Sequence, residues 1–197
     1  MASKTLRELS GLDNSVPSLA GSTVIMVDCQ NTYTKGVMEL EGWKEALAEG
    51  RKLLTEARKA GAEIIHIQHD GGEGSPYDIR AEIGEIHPDV APVPGESVVV
   101  KTDAPNAFHH TDLAQRIEEA GNKDVVIAGF MTNMCVQFTA EGAFLRGYRP
   151  TVVAAASATR PISTAVGEVT AEQLHRSALA TITDMYGVVV PSVDALA

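Results

Sequence analysis

The sequence predicts an α/β fold in three layers, with a six-stranded, mostly parallel sheet between two layers of helices. Short β-branched apolar runs alternate with helix-patterned stretches along almost the whole chain. That alternation is typical of parallel sheets, because each parallel connection needs a crossover that a helix usually supplies. No internal repeat or low-complexity tract interrupts it, so residues 1–197 are interpreted as a single domain.

The predicted strands are apolar runs that stop at polar residues or turns. The first, "TVIMVD", is almost continuously apolar and ends in an acid, as expected for a strand buried on both faces. The six runs lie at 23–28, 63–68, 97–101, 124–129, 150–156 and 187–191.

Helices are predicted between these strands. Their apolar residues recur on one face, and the predicted segments are 43–61, 111–121, the segment after Cys135, and 170–182. Thr111 and Thr170 stand where N-caps are preferred, and Gly61, Gly121 and Gly147 stand where helices should end. Residues 70–95 are rich in Gly and Pro and predict a long loop, which in compact domains is usually functional or mobile.

Composition and charge exclude several classes of function. The net charge of −10 argues against a nucleic-acid or anionic-membrane surface, because both require an excess of Lys and Arg. The two cysteines form no disulfide framework, and the start of the chain lacks the apolar core of a signal peptide. We therefore expect a cytoplasmic protein. No dinucleotide-binding or phosphate-loop glycine motif follows any predicted strand.

Chemically capable residues stand where the predicted strands end. In a parallel sheet, ligands bind beyond the carboxyl ends of the strands, near the point where strand order reverses. Asp28 ends the first run, His69 and Asp70 follow the second, Lys101 ends the third, and Cys135 follows the fourth. Ser157 and Arg160 follow the fifth. An acid, a lysine and a cysteine on one rim predict a catalytic site.

Each of these residues also has a purely structural interpretation. A free cysteine is usually a small core residue, but a helix N-terminus beneath Cys135 and the ammonium of Lys101 would lower its pKa. Lys101 could simply reach solvent, and Asp28 could cap the turn that follows it. Cys29 is interpreted as structural.

Four motifs together resemble the isochorismatase-like cysteine hydrolases, which include nicotinamidases, N-carbamoylsarcosine amidohydrolase, ureidoacrylate and biuret hydrolases, and streptothricin hydrolase. The motifs are "VDCQNTY", "KTDAPNAF", "GFMTNMCV" and "TAEGAFLRGYRPTVVAAASATR". The resemblance spans about residues 20 to 192 and leaves residues 1–20 as an N-terminal extension. It implies a Rossmann-like α/β/α fold and a homo-oligomer, either a dimer or a tetramer.

The resemblance also implies a catalytic site. Asp28, Lys101 and Cys135 match the catalytic Asp–Lys–Cys triad of the family. A cis peptide bond is implied between Phe130 and Met131, and the Met131 and Cys135 N–H groups would form an oxyanion hole. Gln30, Tyr33, His69 and Phe108 are predicted to bind substrate. Core packing is the alternative for Tyr33 and Phe108, and for Phe108 it explains the residue equally well.

The expected activity is the hydrolysis of a C–N bond in a small amide, ureide or lactam through a thioester, without a cofactor. No metal is expected, because "HIQHDGG" lacks the Asp-x-His pair of nicotinamidases, and His66 and His69 are then packing or pocket-wall residues. Ser157 stands where the family often has an acid. The alternatives are an isochorismatase-type ether hydrolase and a catalytically silent oligomeric binding protein of the same fold. The expected partner is a small-molecule substrate, with no nucleic acid and no membrane.

Overall fold

The structure, a computed structural model, describes residues 3–196 and confirms the predicted three-layer α/β fold. All neighbouring strands of the central sheet are parallel, and their order is β3-β2-β1-β4-β5-β8. These strands are β1 (Ser22–Val27), β2 (Glu63–His69), β3 (Ser97–Lys101), β4 (Asp124–Phe130), β5 (Arg149–Ala158) and β8 (Val188–Val190). A separate antiparallel hairpin, not predicted from the sequence, consists of β6 (Ile162–Thr164) and β7 (Gly167–Val169).

The helices end largely where the sequence predicts. They are α1 (Leu6–Leu9), α2 (Trp43–Ala60), α3 (Leu113–Ala120), α4 (Gln137–Leu145) and α5 (Ala171–Thr181). Gly61 and Gly121 end α2 and α3 in the left-handed conformation, and Thr170 caps α5. Thr111 is not the N-cap of α3, because Asp112 holds that position and the Thr111 hydroxyl donates to the Ala107 carbonyl at 2.6 Å.

The core consists of two apolar layers, one on each face of the sheet. Side chains of a strand alternate between faces, so Val24 and Met26 of β1 pack in the layer that α2 covers. Ile25 and Val27 pack in the opposite layer, with residues of α3 and α4. Every residue of β1 is buried, which explains its continuous apolar sequence.

The order of strands places a topological switch point between β1 and β4. From β1 the chain builds β2 and β3 on one side, and it then crosses to β4, β5 and β8 on the other. The carboxyl ends of β3, β2, β1 and β4 are therefore adjacent, which is where α/β proteins bind ligands.

Among residues 3–196, no helix combines the length and the apolar character that crossing a membrane requires.

Gly129 controls how closely β4 approaches β1. Its φ is +126°, and a Cβ added there would lie 2.1 Å from the carbonyl oxygen of Val27. Gly167 in the β6–β7 hairpin has the same φ of +126° but no atom within 4 Å of an added Cβ. Comparing alanine substitutions at Gly129 and Gly167 therefore separates the cost of the backbone conformation from the cost of a Cβ that collides with the Val27 carbonyl.

We predict that Gly129→Ala lowers the free energy of unfolding by about 3 kcal/mol and Gly167→Ala by about 1 kcal/mol. Urea unfolding monitored by circular dichroism measures both variants. Equal losses would contradict the proposed collision between β4 and β1.

Candidate active site

A buried ion pair lies at the carboxyl end of the sheet. Asp28 follows β1, Lys101 ends β3, and the Lys101 Nζ lies 2.9 Å from the Asp28 Oδ2. Their side chains are 0% and 1% exposed. Asp28 has a φ of +47°, a left-handed conformation that a non-glycine residue rarely adopts and that often marks functional sites.

The Lys101 ammonium contacts three acceptors. It has three N–H groups, and besides Asp28 it approaches the His69 Nδ1 at 3.3 Å and the Cys135 Sγ at 3.6 Å. Because the His69 Nδ1 accepts from an ammonium, the imidazole proton is placed on Nε2. The carboxyl ends of β1, β2 and β3 and the segment after β4 thus converge on one ammonium group.

Cys135 lies in a π-helical turn between β4 and α4 that covers residues Thr132–Val136. Neighbouring elements hold this turn: the Thr132 hydroxyl lies 2.8 Å from the His175 Nδ1, and the Thr159 hydroxyl donates to the Asn133 side chain at 2.6 Å. The peptide bond between Phe130 and Met131 is cis, at the position that the resemblance implies. The turn brings the thiol beside Lys101 and leaves it 8% exposed.

The charges of the site oppose the expectation of a low thiol pKa. Burial, followed by the negative charge of Asp28, raises the pKa of Cys135 above its ordinary value, although Lys101 acts in the opposite direction. Burial also raises the pKa of Asp28, again opposed by Lys101. Burial alone would lower the pKa of Lys101, but Asp28 reverses the shift and keeps the ammonium charged. The resting site therefore holds a protonated thiol between an acid and an ammonium.

A cavity of about 180 Å³ opens onto these groups. Its aromatic walls are Tyr33, His69 and Tyr77, whose rings meet edge to face: Tyr77 lies 5.8 Å from Tyr33 and 4.9 Å from His69 between centroids. The remaining lining residues are Lys101, Asp103, Ala104, Pro105, Met131, Met134 and Cys135. The cavity is large enough for a small organic molecule or for one end of a larger one.

Some residues predicted to bind substrate lie in the cavity wall and others do not. Tyr33 and His69 line it, and their roles stay predictions. Gln30 is fully buried. Its side-chain NH2 donates to the carbonyls of His69 and Gly84, and its side-chain oxygen accepts from the His69 N–H. Phe108 stacks on Tyr148 in the core. We therefore assign Gln30 to holding the loop against β2, and Phe108 to packing.

His66 also does not line the cavity. It is buried in β2, and its Nε2 lies 2.9 Å from the Glu96 Oε2. Ser157, at the end of β5, bonds the Val153 carbonyl and does not line the cavity.

Tyr77, Met134 and residues 103–105 line the cavity but were not identified from the sequence. Tyr77 belongs to the long Gly- and Pro-rich loop, so the composition of that loop was the available signal. Residues 103–105 fall within "KTDAPNAF", where only the lysine and the phenylalanine were assigned roles.

One group of residues within 3–196 has the composition of a metal site. Asp103, His109 and His110 place ligand atoms within 4.8 Å of one another, all three are exposed, and Asp103 lines the cavity. The His110 Nδ1 bonds the Asp103 carboxylate at 2.8 Å. Asp28, Lys101 and Cys135 are not part of this group. The absence of a catalytic metal stays a prediction.

Comparison with known protein families identifies relatives over almost the whole chain. The family model of the isochorismatase domain matches residues 22–194. A crystal structure of an isochorismatase from Pseudomonas putida KT2440 superimposes with a TM-score of 0.95 at 35% identity, covering 100% of both chains.

Several curated relatives carry functional names. The secreted isochorismatase effector Isc1 of Verticillium dahliae is 31% identical, over 96% of this chain and 98% of its own. A streptothricin hydrolase of Streptomyces noursei is 34% identical, over 73% of this chain and 57% of its own. A ureidoacrylate amidohydrolase of Rhizobium rhizogenes is 27% identical, over 62% of this chain and 64% of its own.

The ion pair generates a prediction about stability. Asp28→Asn leaves the Lys101 ammonium buried without a counter-charge, which should cost about 3 kcal/mol of unfolding free energy. Adding Lys101→Met removes that unpaired charge, so the double variant should recover most of the loss. Urea unfolding of both single variants and the double variant measures the coupling. Additive losses in the double variant would show that the two side chains do not interact.

The raised pKa of Cys135 generates a prediction about alkylation. In a Cys29→Ser background, iodoacetamide should modify Cys135 more slowly than a free thiol at about pH 7, and the rate should still rise above about pH 9. Asp28→Asn should accelerate the reaction, because it removes the negative charge that disfavours the thiolate. Mass spectrometry follows the adduct with time. A rate that reaches its plateau below neutral pH would mean that Lys101 and the helix N-terminus dominate.

Proposed function

Because the chain belongs to the isochorismatase family, we propose that it is a cysteine-dependent hydrolase that cleaves a C–N bond of a small amide, ureide or lactam. The observation that carries this proposal is the position of the Cys135 Sγ, on the cavity wall and 3.6 Å from an ammonium that is itself paired with Asp28. A thiol, a base and a fixed cation beside one cavity are the groups that thioester chemistry requires.

In the first half of the reaction, Asp28 accepts the thiol proton as the Cys135 sulfur attacks the carbonyl carbon of the substrate. The N–H groups of Met131 and Cys135 stabilise the resulting oxyanion, an interaction that typically contributes about 3 kcal/mol in acyl-transfer enzymes. Asp28 then gives its proton to the departing nitrogen. The C–N bond breaks, the amine or ammonia is released, and the acyl group remains on sulfur as a thioester.

In the second half, a water molecule replaces the leaving amine. Asp28 accepts a proton from the water, the oxygen attacks the thioester carbonyl, the carbon–sulfur bond breaks, and Asp28 returns its proton to the departing sulfur. The products are a carboxylic acid and the free cysteine. Lys101 remains charged throughout, because the neighbouring Asp28 raises its pKa over the opposing effect of burial, and it stabilises whichever partner carries the negative charge.

His69 is proposed to hold the ammonium rather than to exchange protons with substrate. Burial and the charge of Lys101 lower the pKa of His69, so its ring is neutral while its Nδ1 faces the Lys101 Nζ at 3.3 Å. Tyr33 and Tyr77 are proposed to contact the bound substrate from the aromatic wall that they form with His69. The cytoplasmic location and the homo-oligomer stay predictions, and one relative is named as a secreted effector.

The proposed activity predicts turnover of members of a panel of small amides, ureides and lactams. Ammonia release measures the amides and ureides, and chromatography follows the ring opening of the lactams. Cys135→Ala should abolish turnover, and a slow substrate should leave an acyl adduct on Cys135 that mass spectrometry maps. EDTA should leave the rate unchanged, since no step uses a metal.

Cys29→Ser serves as the matched control, because Cys29 is buried and lies outside the cavity wall. It should retain activity. Turnover that survives in Cys135→Ala would exclude the thioester, and turnover of an ether but of no panel member would favour an ether hydrolase. No turnover and no adduct with any member of the panel would favour a silent binding protein.

A further inference from the structure

The cavity contains no cation that is free to bind an anionic substrate. Within residues 3–196, Lys101 is the one lysine or arginine of its lining. All three acceptors that surround its ammonium belong to the protein, namely Asp28 at 2.9 Å, His69 at 3.3 Å and Cys135 at 3.6 Å. The charge of this ammonium is offset by Asp28, and its hydrogen bonds go to His69 and Cys135, so Lys101 is not an uncompensated cation for a carboxylate of the substrate.

Two other basic residues near the cavity, Arg80 and His69, are also committed or neutral. Arg80 belongs to the loop that carries Tyr77, and its guanidinium bonds Asp70 at 2.7 and 3.0 Å and Asp78 at 2.6 Å. His69 is neutral, because burial and the adjacent ammonium lower its pKa. The inner wall of the cavity therefore has no net charge beyond the pair of Asp28 and Lys101.

The rim of the cavity carries a negative charge. Asp103 lines the opening directly after β3, and its side chain is 51% exposed. Hydrogen bonds from the His110 ring and the Thr102 hydroxyl hold the Asp103 carboxylate in place. A molecule that enters the cavity passes an ionised carboxylate with no free ammonium or guanidinium in the wall to offset it.

We infer that the cavity selects by charge: it admits neutral and cationic substrates and disfavours carboxylates, with Asp103 as the residue that determines this specificity. The claim that the selected molecules are substrates rests on the proposed hydrolase activity. The claim that the cavity selects by charge which molecules reach Cys135 does not rest on it. An acrylate, such as the one in the name of the ureidoacrylate amidohydrolase, belongs to the disfavoured class.

Alkylation tests the charge selection without any turnover. Iodoacetamide and iodoacetate differ mainly in charge, so the ratio of their rates at Cys135 reports what the cavity admits. The ratio is divided by that of a small neutral thiol, and the reactions contain EDTA at low salt and about pH 8.5, above the usual titration range of histidine. Peptide mapping separates Cys135 from Cys29.

We expect the corrected ratio to exceed unity by about tenfold or more, because like charges repel in a poorly screened opening. Asp103→Asn, which keeps the shape of the side chain, should reduce the ratio about threefold. Glu119→Gln removes one charge from an exposed position on α3 and should leave the ratio unchanged. A corrected ratio near one, or equal effects of the two substitutions, would overturn the inference.

Turnover tests the substrate class with two matched pairs. β-Alaninamide is the cationic counterpart of butyramide, and succinamate is the anionic counterpart of succinamide. We expect kcat/KM to rank β-alaninamide at or above butyramide, and succinamide at least about tenfold above succinamate per amide group. Asp103→Asn should bring the kcat/KM values within each pair closer together.

The two experiments separate the claims. Charge-selective alkylation without turnover of any amide would refute the hydrolase activity and leave the charge selection standing. Turnover that favours succinamate would refute the charge selection and leave the hydrolase activity standing.

Discussion

Asp28 and Lys101 face each other across 2.9 Å with almost no exposure to water. Removing two such ions from solvent costs several kcal/mol for each, and the attraction between them offsets that cost only when the geometry is good and the remaining hydrogen-bonding groups are used. Lys101 meets the second condition through His69 and Cys135. The thiol is therefore part of the arrangement that makes the buried ion pair tolerable, as well as the reactive group beside it.

Placing these four residues together requires the parallel sheet. Asp28, His69 and Lys101 stand at the ends of three adjacent strands, and Cys135 follows the fourth across the switch point. Adjacent parallel strands lie just under 5 Å apart, so side chains of two strands at their ends can reach an ammonium on a third. The close approach of β4 to β1 brings the turn that carries the thiol into the same space, and glycine at the contact is what permits it.

The fold class and the convergence of the acid, lysine and cysteine could be inferred from the sequence, because apolar periodicity and strand ends are local signals. The cavity wall could not be inferred in the same way. Tyr77 reaches it through a loop whose path depends on contacts with Arg80 and Gln30, and such contacts leave no periodic pattern. Gln30 and Phe108 belong to motifs that lie next to the site, and their side chains turn away into backbone hydrogen bonds and core packing.

The charge state of the cysteine shows the same limit and also clarifies how the site works. From the sequence, the forces on the thiol could be named, but their balance depends on burial, and burial favours the neutral form.

Cys29 is also buried, and its pKa is also raised, yet its sulfur faces the Val27 carbonyl instead of an ammonium. What distinguishes the two thiols is therefore not an unusual acidity in the resting state. In the proposed mechanism, Cys135 has Asp28 to accept its proton, the Lys101 ammonium beside the anion that forms, and access to the cavity. Because Asp28 and Cys135 each influence the pKa of the other, we expect the two groups to titrate as one unit. In the proposed mechanism, the thiol reacts only when a substrate carbonyl is present to receive the electrons of the sulfur as Asp28 takes its proton.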